Sequence, residues 1–256
     1  MVRFAGFGSP RSALVLKLAS VLLLLSLWQA GAMVVGGRLL PGPATVLAVL
    51  IQGIQDGELP YHVGVTLARV AAAFVIAMAI GTGLGIAMGR KPVLDRFLDS
   101  WLVLFLNIPA LVTIVLAYVW FGLTEAAAIG AVAVNKIPMV VVTVREGSRA
   151  LERDYLEMAE VFALSPWQTL RHVVAPQLAP FLVAAARSGL ALIWKIVLVV
   201  ELLGRGDGVG FQISLYFQLF DVAQILAYTF AFVVVIQAIE LGLLGPLERR
   251  AARWRR

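Results

Sequence analysis

The sequence predicts an all-α integral membrane protein with six transmembrane helices, and three observations carry that expectation. Of the 256 residues, 61% are hydrophobic and only 14% charged, whereas soluble domains run nearer half apolar and a quarter charged. Six apolar stretches, at about 14–35, 63–88, 101–122, 125–144, 178–203 and 222–245, each match the roughly 20 residues that cross a bilayer as a helix. Lys and Arg cluster on one side of those stretches. The spans leave short loops and no room for a second soluble domain, so residues 1–256 read as one transmembrane domain.

The first span has two readings. Lys17, the Leu-rich run and Ala30-Gly31-Ala32 have the form of a cleavable signal peptide. The apolar run continues to Val35, which favours a retained helix. Residues 36–60 then form an outer segment, with Pro41-Gly42-Pro43 followed by a short helical stretch. With the N-terminus inside, fifteen Lys and Arg face the cytoplasm: Arg3, Arg11 and Lys17; Arg90, Lys91 and Arg96; Arg145, Arg149, Arg153 and Arg171; and Arg249, Arg250, Arg253, Arg255 and Arg256. Only Arg38 and Arg205 lie outside. This asymmetry places both termini in the cytoplasm.

Within the second span Gly81, Gly85 and Gly89 recur every four residues, a small-residue stripe that allows close helix approach. Pro109 and Pro138 interrupt the third and fourth spans, and each frees a carbonyl that lipid cannot satisfy. Either they are buried structural kinks or they bend helices that line a pathway; Asn107 beside Pro109 favours the pathway. Lys136, Arg187, Lys195, Glu201 and Glu240 are charges inside apolar spans, where an ionisable residue is a functional candidate. Arg187 and Glu240 share a depth on the fifth and sixth spans and read as a structural ion pair. Lys136 and Lys195 have no obvious carboxylate at their depth. Either they line an anion-attracting pathway, or they snorkel or bond to freed carbonyls.

The chain has no cysteine and two histidines, His62 and His172. Disulfides, thiol nucleophiles, iron–sulfur clusters and Cys/His zinc sites are therefore excluded. Both histidines fall outside the spans as read, which argues against a membrane-embedded hydrolase. The net charge of +6 sits in loops between apolar spans, not on a soluble face, so nucleic acid is not a partner.

The longest polar stretch is the cytoplasmic loop over about 146–177, between the fourth and fifth spans. Leu151, Tyr155, Met158 and Phe162 fall at helical spacing and lie within about 60° of one another at 100° per residue. Ser165-Pro166-Trp167-Gln168 starts a second helix, with a cap, a first-turn proline and a capping box. Pro176 and Pro180 are expected to close it. This loop is either an interfacial helix on lipid headgroups or a docking element for a soluble partner, and its acidic residues lean toward the partner.

Glu157-Met158-Ala159, Ala163 six residues after the Glu, and Val174-Ala175-Pro176 resemble the EAA loop of binding-protein-dependent ABC importer permeases. The likeness extends over nearly the whole chain. Leu40-Pro41-Gly42-Pro43, then His62, Leu67, Arg69 and Val70, then Ile108-Pro109, Trp120-Phe121-Gly122-Leu123 and Glu125 resemble the first half of that family. Arg187, Trp194, Glu201 and Gly208-Val209-Gly210 resemble its fifth span and outer loop. Within the family the chain looks most like the nitrate/sulfonate/taurine class. It departs in carrying Met158 for Ala, Ala163 for Gly and Ala175 for Leu. If the turn at Ala163 needs a left-handed residue, alanine costs roughly 1 kcal/mol there.

The resemblance implies the type I importer permease fold, six transmembrane helices with cytoplasmic coupling helices, in the bacterial inner membrane. It implies that Leu151, Tyr155, Glu157, Met158, Ala159, Phe162, Ala163, Ser165 and Pro166 engage ATPase subunits. The other implied partners are an extracytoplasmic solute-binding protein and a second copy of the chain. No Gly-Lys-Ser/Thr phosphate loop is present, so ATP and Mg would be held by the partner subunit and this chain would not itself be an enzyme. The implied cargo is a small anionic organic or inorganic solute, with Asn107, Pro109, Lys136 and Lys195 as candidate pathway residues. The alternative is a secondary transporter driven by an ion gradient, which inverted repeats with broken helices would favour; none is found.

Overall fold

A computed structural model describes residues 10–246. The described residues are helical throughout, with short connections. The order is α1 (Pro10–Val35), α2 (Pro43–Gln55), α3 (Glu58–Arg90), α4 (Pro92–Asn107), α5 (Ala110–Phe121) and α6 (Glu125–Arg149). Then follow α7 (Arg153–Val161), α8 (Pro166–Thr169), a π turn (Leu170–Val174), α9 (Ala175–Gly204), α10 (Val209–Gln218), α11 (Val222–Ile239) and a second π turn (Glu240–Leu244). Five helical stretches are long and apolar enough to cross a membrane, and the α4–α5 pair makes a sixth if it is one broken span. The C-terminal arginines Arg249, Arg250, Arg253, Arg255 and Arg256, with Arg3, lie outside the described residues.

The core is the layer where α3, α6 and α9 meet. Val70 and Ala73 of α3, Ala128 and Val132 of α6, and Ile193, Val197 and Val200 of α9 are buried there together. The glycine stripe is the α3–α6 seam. A Cβ built on Gly81 would lie 2.6 Å from Val140 Cβ, and one on Gly85 2.8 Å from Val144 Cβ. Real side chains do not approach so closely, so the backbones sit together only because both positions lack a side chain. Outside this layer α1 leans on α11. The Trp28 ring lies 5.4 Å from Phe230, and its indole N–H donates to the Pro41 carbonyl at 3.0 Å.

Five sequence expectations change. The third span is not one helix over 101–122: α4 and α5 meet at 96°. Pro109 has no N–H to continue the ladder, and Ile108 before it is held extended at ψ 122°. Pro138, by contrast, stays within an unbroken α6. The second span begins at Glu58, so His62 lies inside it and is buried. The second coupling helix is not closed by Pro176 and Pro180. The π turn accepts the Ala175 N–H on the Leu170 carbonyl, one residue further than an α-helix would, and the chain runs into α9 without a stop. Finally, α6 extends to Arg149, so the coupling segment starts later than position 146.

Candidate functional site

Two groups of candidate residues lie at opposite ends of the helices. At one end lies the coupling segment. Ala159, on the inner face of α7, is buried, while Tyr155, Met158 and Phe162 are 49%, 42% and 71% exposed. Leu151 lies before the Glu152 N-cap and Phe162 is the C-cap, so of the predicted stripe only Tyr155 and Met158 lie within α7 itself. The Glu152 N–H donates to Gln177 Oε1 at 3.0 Å and ties the segment to α9. Glu157 is exposed, and among the described residues it has no hydrogen-bond or ion-pair partner. Val161, Trp167 and Leu170 are also exposed and enlarge the apolar face. A full heptad reading of the loop would have found Val161 and Leu170 no more readily, because the turn between the two helices sets their direction.

That turn is a Schellman motif. The Leu164 N–H bonds the Ala159 carbonyl at 2.9 Å, and the Ala163 N–H bonds Glu160 at 2.9 Å. Ala163 is left-handed at φ 49°, the conformation glycine adopts most readily. Ser165 then caps α8. Its Oγ accepts the Gln168 N–H at 3.3 Å and Gln168 Oε1 accepts the Ser165 N–H at 2.9 Å, with Pro166 at the first helical position.

At the opposite end is a cluster the sequence reading did not assemble. Arg69 of α3, 3% exposed, sits among carboxylates from three elements. Its Nε and Nη2 donate to the Glu125 carboxylate at 2.6 and 3.1 Å. Its Nη1 donates to Glu201 at 2.8 Å and to the Asp207 carbonyl at 2.9 Å, and Nη2 also meets the Asp207 carboxylate. All five guanidinium N–H groups are thus used. Glu201, fully buried, also accepts the Thr66 hydroxyl at 2.9 Å and the Gly210 N–H at 2.8 Å. Arg205 closes the rim, donating to the Leu123 carbonyl at 2.7 Å and pairing with Glu125 at 2.6 Å.

The loop between α9 and α10 enters this cluster through backbone. Gly208, Val209 and Gly210 point successive N–H groups at His62 Nδ1 (3.0 Å), Thr66 Oγ (2.8 Å) and Glu201. Because Nδ1 accepts, Nε2 of the neutral ring bears the proton. The Gln212 amide nitrogen is placed 2.5 Å from Nε2, and the Glu58 carboxylate lies 3.5 Å from the same ring nitrogen. Gly208 is at φ 100°, and a Cβ there would strike the Glu201 carboxylate. Glu201 stood out in the sequence as an intramembrane carboxylate, but its partner lies 132 positions away. The signal available was Arg69 itself, a cation in the same apolar span as the glycine stripe.

The remaining predicted residues are not brought together. Lys136 is enclosed in the bundle, its ammonium 3.4 Å from Met139 sulfur and its stem beside Gly189 of α9. Lys195 is exposed in a cleft between α9, α10 and α11, so the two lysines do not share one path within this chain. Asn107 and Pro109 are exposed at the α4–α5 elbow, where the Asn107 amide donates to Val103 at 2.7 Å. Arg187 Nη2 lies 3.8 Å from Glu240, with both side chains partly exposed. At the coupling end Arg145 joins α6 to Asp95 and Asp99 of α4 at 3.2 and 2.7 Å.

Residues 78–243 match the model of a family described as binding-protein-dependent transport system inner membrane component. The putative aliphatic sulfonates transport permease protein SsuC of Bacillus subtilis (strain 168) is 27% identical over 91% of this chain and 84% of its own length. The taurine transport system permease protein TauC of Escherichia coli (strain K12) is 27% identical over 93% and 89%. The riboflavin transport system permease protein RibX of Chloroflexus aurantiacus (strain ATCC 29366 / DSM 635 / J-10-fl) is 32% identical over 92% and 88%. Among solved structures, an amino acid ABC transporter with histidines superposes with a TM-score of 0.63 at 19% identity, over 78% of this chain and 97% of that one.

Proposed function

The chain belongs to the family of binding-protein-dependent transport system inner membrane components, and from that premise we propose how it works: a small anionic solute crosses between two copies of it, driven by ATPase subunits docked on α7 and α8. It is a multi-pass membrane subunit of an ATP-binding-cassette importer. The alternative of an ion-gradient transporter has no support in the family or the fold. ATP and Mg belong to the ATPase, and the solute arrives on an extracytoplasmic binding protein. The Lys and Arg asymmetry favours cytoplasmic termini.

One observation carries the docking role. Tyr155, Met158 and Phe162 stand exposed along a short helix and its C-cap, with Ala159 anchoring the other face, while Glu157 beside them is exposed and has no partner among the described residues. An apolar stripe with an exposed acid suits a protein groove with a polar or basic rim, and suits anionic lipid poorly. For the solute, relatives named for sulfonates and taurine support an anion, and a relative named for riboflavin supports leaving the choice to the binding protein. Asn107 and Pro109 at the elbow, with Lys136, remain pathway candidates.

The test is ATP-driven uptake by the reconstituted complex. Glu157→Lys should abolish uptake and ATPase association while the chain still inserts, and the chain alone should hydrolyse no ATP. Normal association and uptake by the variant would overturn the docking role.

A further inference from the structure

We propose that the cleft between α9, α10 and α11 is an intramembrane binding site for the anionic head of the solute, with Lys195 as its cation; this deepens the reading of the chain as an importer of anions and rests on it. The cleft has a volume of about 390 Å³, and Trp194, Lys195, Thr229, Phe232 and Glu240 are among the residues that line it. Lys195 stands nine residues before the end of α9 at Gly204, roughly 13 Å along the helix at 1.5 Å per residue. An ammonium at that depth is expensive and is retained for a partner or a function.

The charges of the cleft do not balance. Glu240 lies on the cleft wall, but its carboxylate is 3.8 Å from Arg187. Lys195 has no hydrogen-bond or ion-pair partner among the described residues. Lys195 therefore faces the open volume without a carboxylate paired to it among the described residues. The contrast within the molecule is direct. Arg69, equally inside a span, is buried and has every N–H paired. Lys136 also lacks a carboxylate, but it is packed against Met139 and Gly189 with 3% exposure. Lys195 alone of the three joins an uncompensated charge to room for a ligand.

The chemistry of the walls narrows the ligand. Trp194, Phe232 and Val233 offer apolar and aromatic surface for a short hydrocarbon body. The Thr229 hydroxyl already donates to the Ile225 carbonyl at 2.7 Å, so it offers an anion no proton. The head is then held by Lys195 through a single charge-assisted contact. One-point capture is weak, which suits a stop from which solute must leave again. A small alkyl sulfonate or carboxylate fits this description; a dianionic phosphate does not, since one ammonium leaves half its charge unmatched.

The test uses the permease–ATPase complex in lipid nanodiscs and two probes of similar shape, 1-propanesulfonate and neutral methyl propyl sulfone. Saturation-transfer NMR reads weak binding of each. The sulfonate should bind saturably to the wild type. Lys195→Met should weaken it at least tenfold and Lys195→Arg should retain it. The sulfone should be unaffected by either change, which also shows that the variant cleft is intact. Sulfonate binding that survives in Lys195→Met overturns the site. So does a wild type that binds no sulfonate, as when lipid or the second copy fills the cleft. The importer reading is judged separately, by ATP-driven uptake through the whole complex and its loss in Glu157→Lys.

Discussion

At one end of α3, α6 and α9 every guanidinium N–H of Arg69 is bonded within the chain; at the other, Tyr155, Met158 and Phe162 are bare and Glu157 has no partner among the described residues. Each end carries a carboxylate, yet one is fully buried and the other exposed. The difference separates two uses of polar chemistry. Where every donor and acceptor is matched internally, the chain fixes its own shape. Where an apolar face and an acid are left open, the proposal is that the matching groups belong to another polypeptide. Substitutions at the two ends should therefore fail in different assays.

The largest expected effect is at the closed end. Arg69→Met would leave Glu201 buried opposite nothing but Thr66 and Gly210, and would strip Glu125 and Asp207 of their common partner. Removing one member of a buried ion pair costs about 3–5 kcal/mol. Unfolding in detergent should show a loss of that size, or no folded protein at all. Glu201→Gln should cost less, because the amide oxygen can still accept from Thr66 and Gly210. Equal stability for Arg69→Met and wild type would mean that the cluster does not hold the loop.

A middle-sized effect belongs to the open end. Phe162 is 71% exposed, so Phe162→Ala should change the stability of the isolated chain by no more than about 0.5 kcal/mol. If its ring fills a pocket on the ATPase, affinity should fall by about 2 kcal/mol, roughly thirtyfold. Titration of the ATPase onto the purified chain, beside its unfolding curve, reads both numbers. A variant that loses stability and keeps its affinity would reverse the assignment of the two ends.

What was legible in the sequence follows the same division. The capping box at Ser165 and Gln168 and the glycine stripe were readable because their partners lie three or four positions apart, or recur with the helical period. The bundle was readable from hydropathy, except where α4 and α5 break: Pro109 announces a bend, but its 96° angle depends on what α4 packs against. Asp95 and Asp99, which fix α4 to Arg145, lie 50 and 46 positions from it. The Arg69 cluster joins positions 56 to 138 apart, and no local period encodes such pairings. Gly208 and Gly210 were visible only as a likeness to relatives. Their physical reason, close approach to Glu201 and to the Leu198 carbonyl, exists only in the folded chain.

The smallest effect tests the turn that aims the open end. Ala163 holds φ 49° at the Schellman turn after α7, where its N–H and that of Leu164 close the helix onto Glu160 and Ala159. A left-handed alanine costs about 1–2 kcal/mol relative to its preferred conformations. Glycine removes that strain but brings a more flexible unfolded chain, which takes back about 0.4–1 kcal/mol. The balance for Ala163→Gly is a gain on the order of 0.5–1 kcal/mol. A gain so small is lost in the unfolding of the whole chain, so the local readout is better. Amide exchange at Leu164, whose N–H bonds the Ala159 carbonyl, should slow about two- to fivefold, following that free energy through the opening equilibrium. ATPase affinity should be unchanged or slightly higher, because the exposed stripe keeps its direction while the turn that sets it is held more firmly. Faster exchange at Leu164 together with weaker docking would show that the alanine methyl, and not the backbone conformation, is what this position contributes.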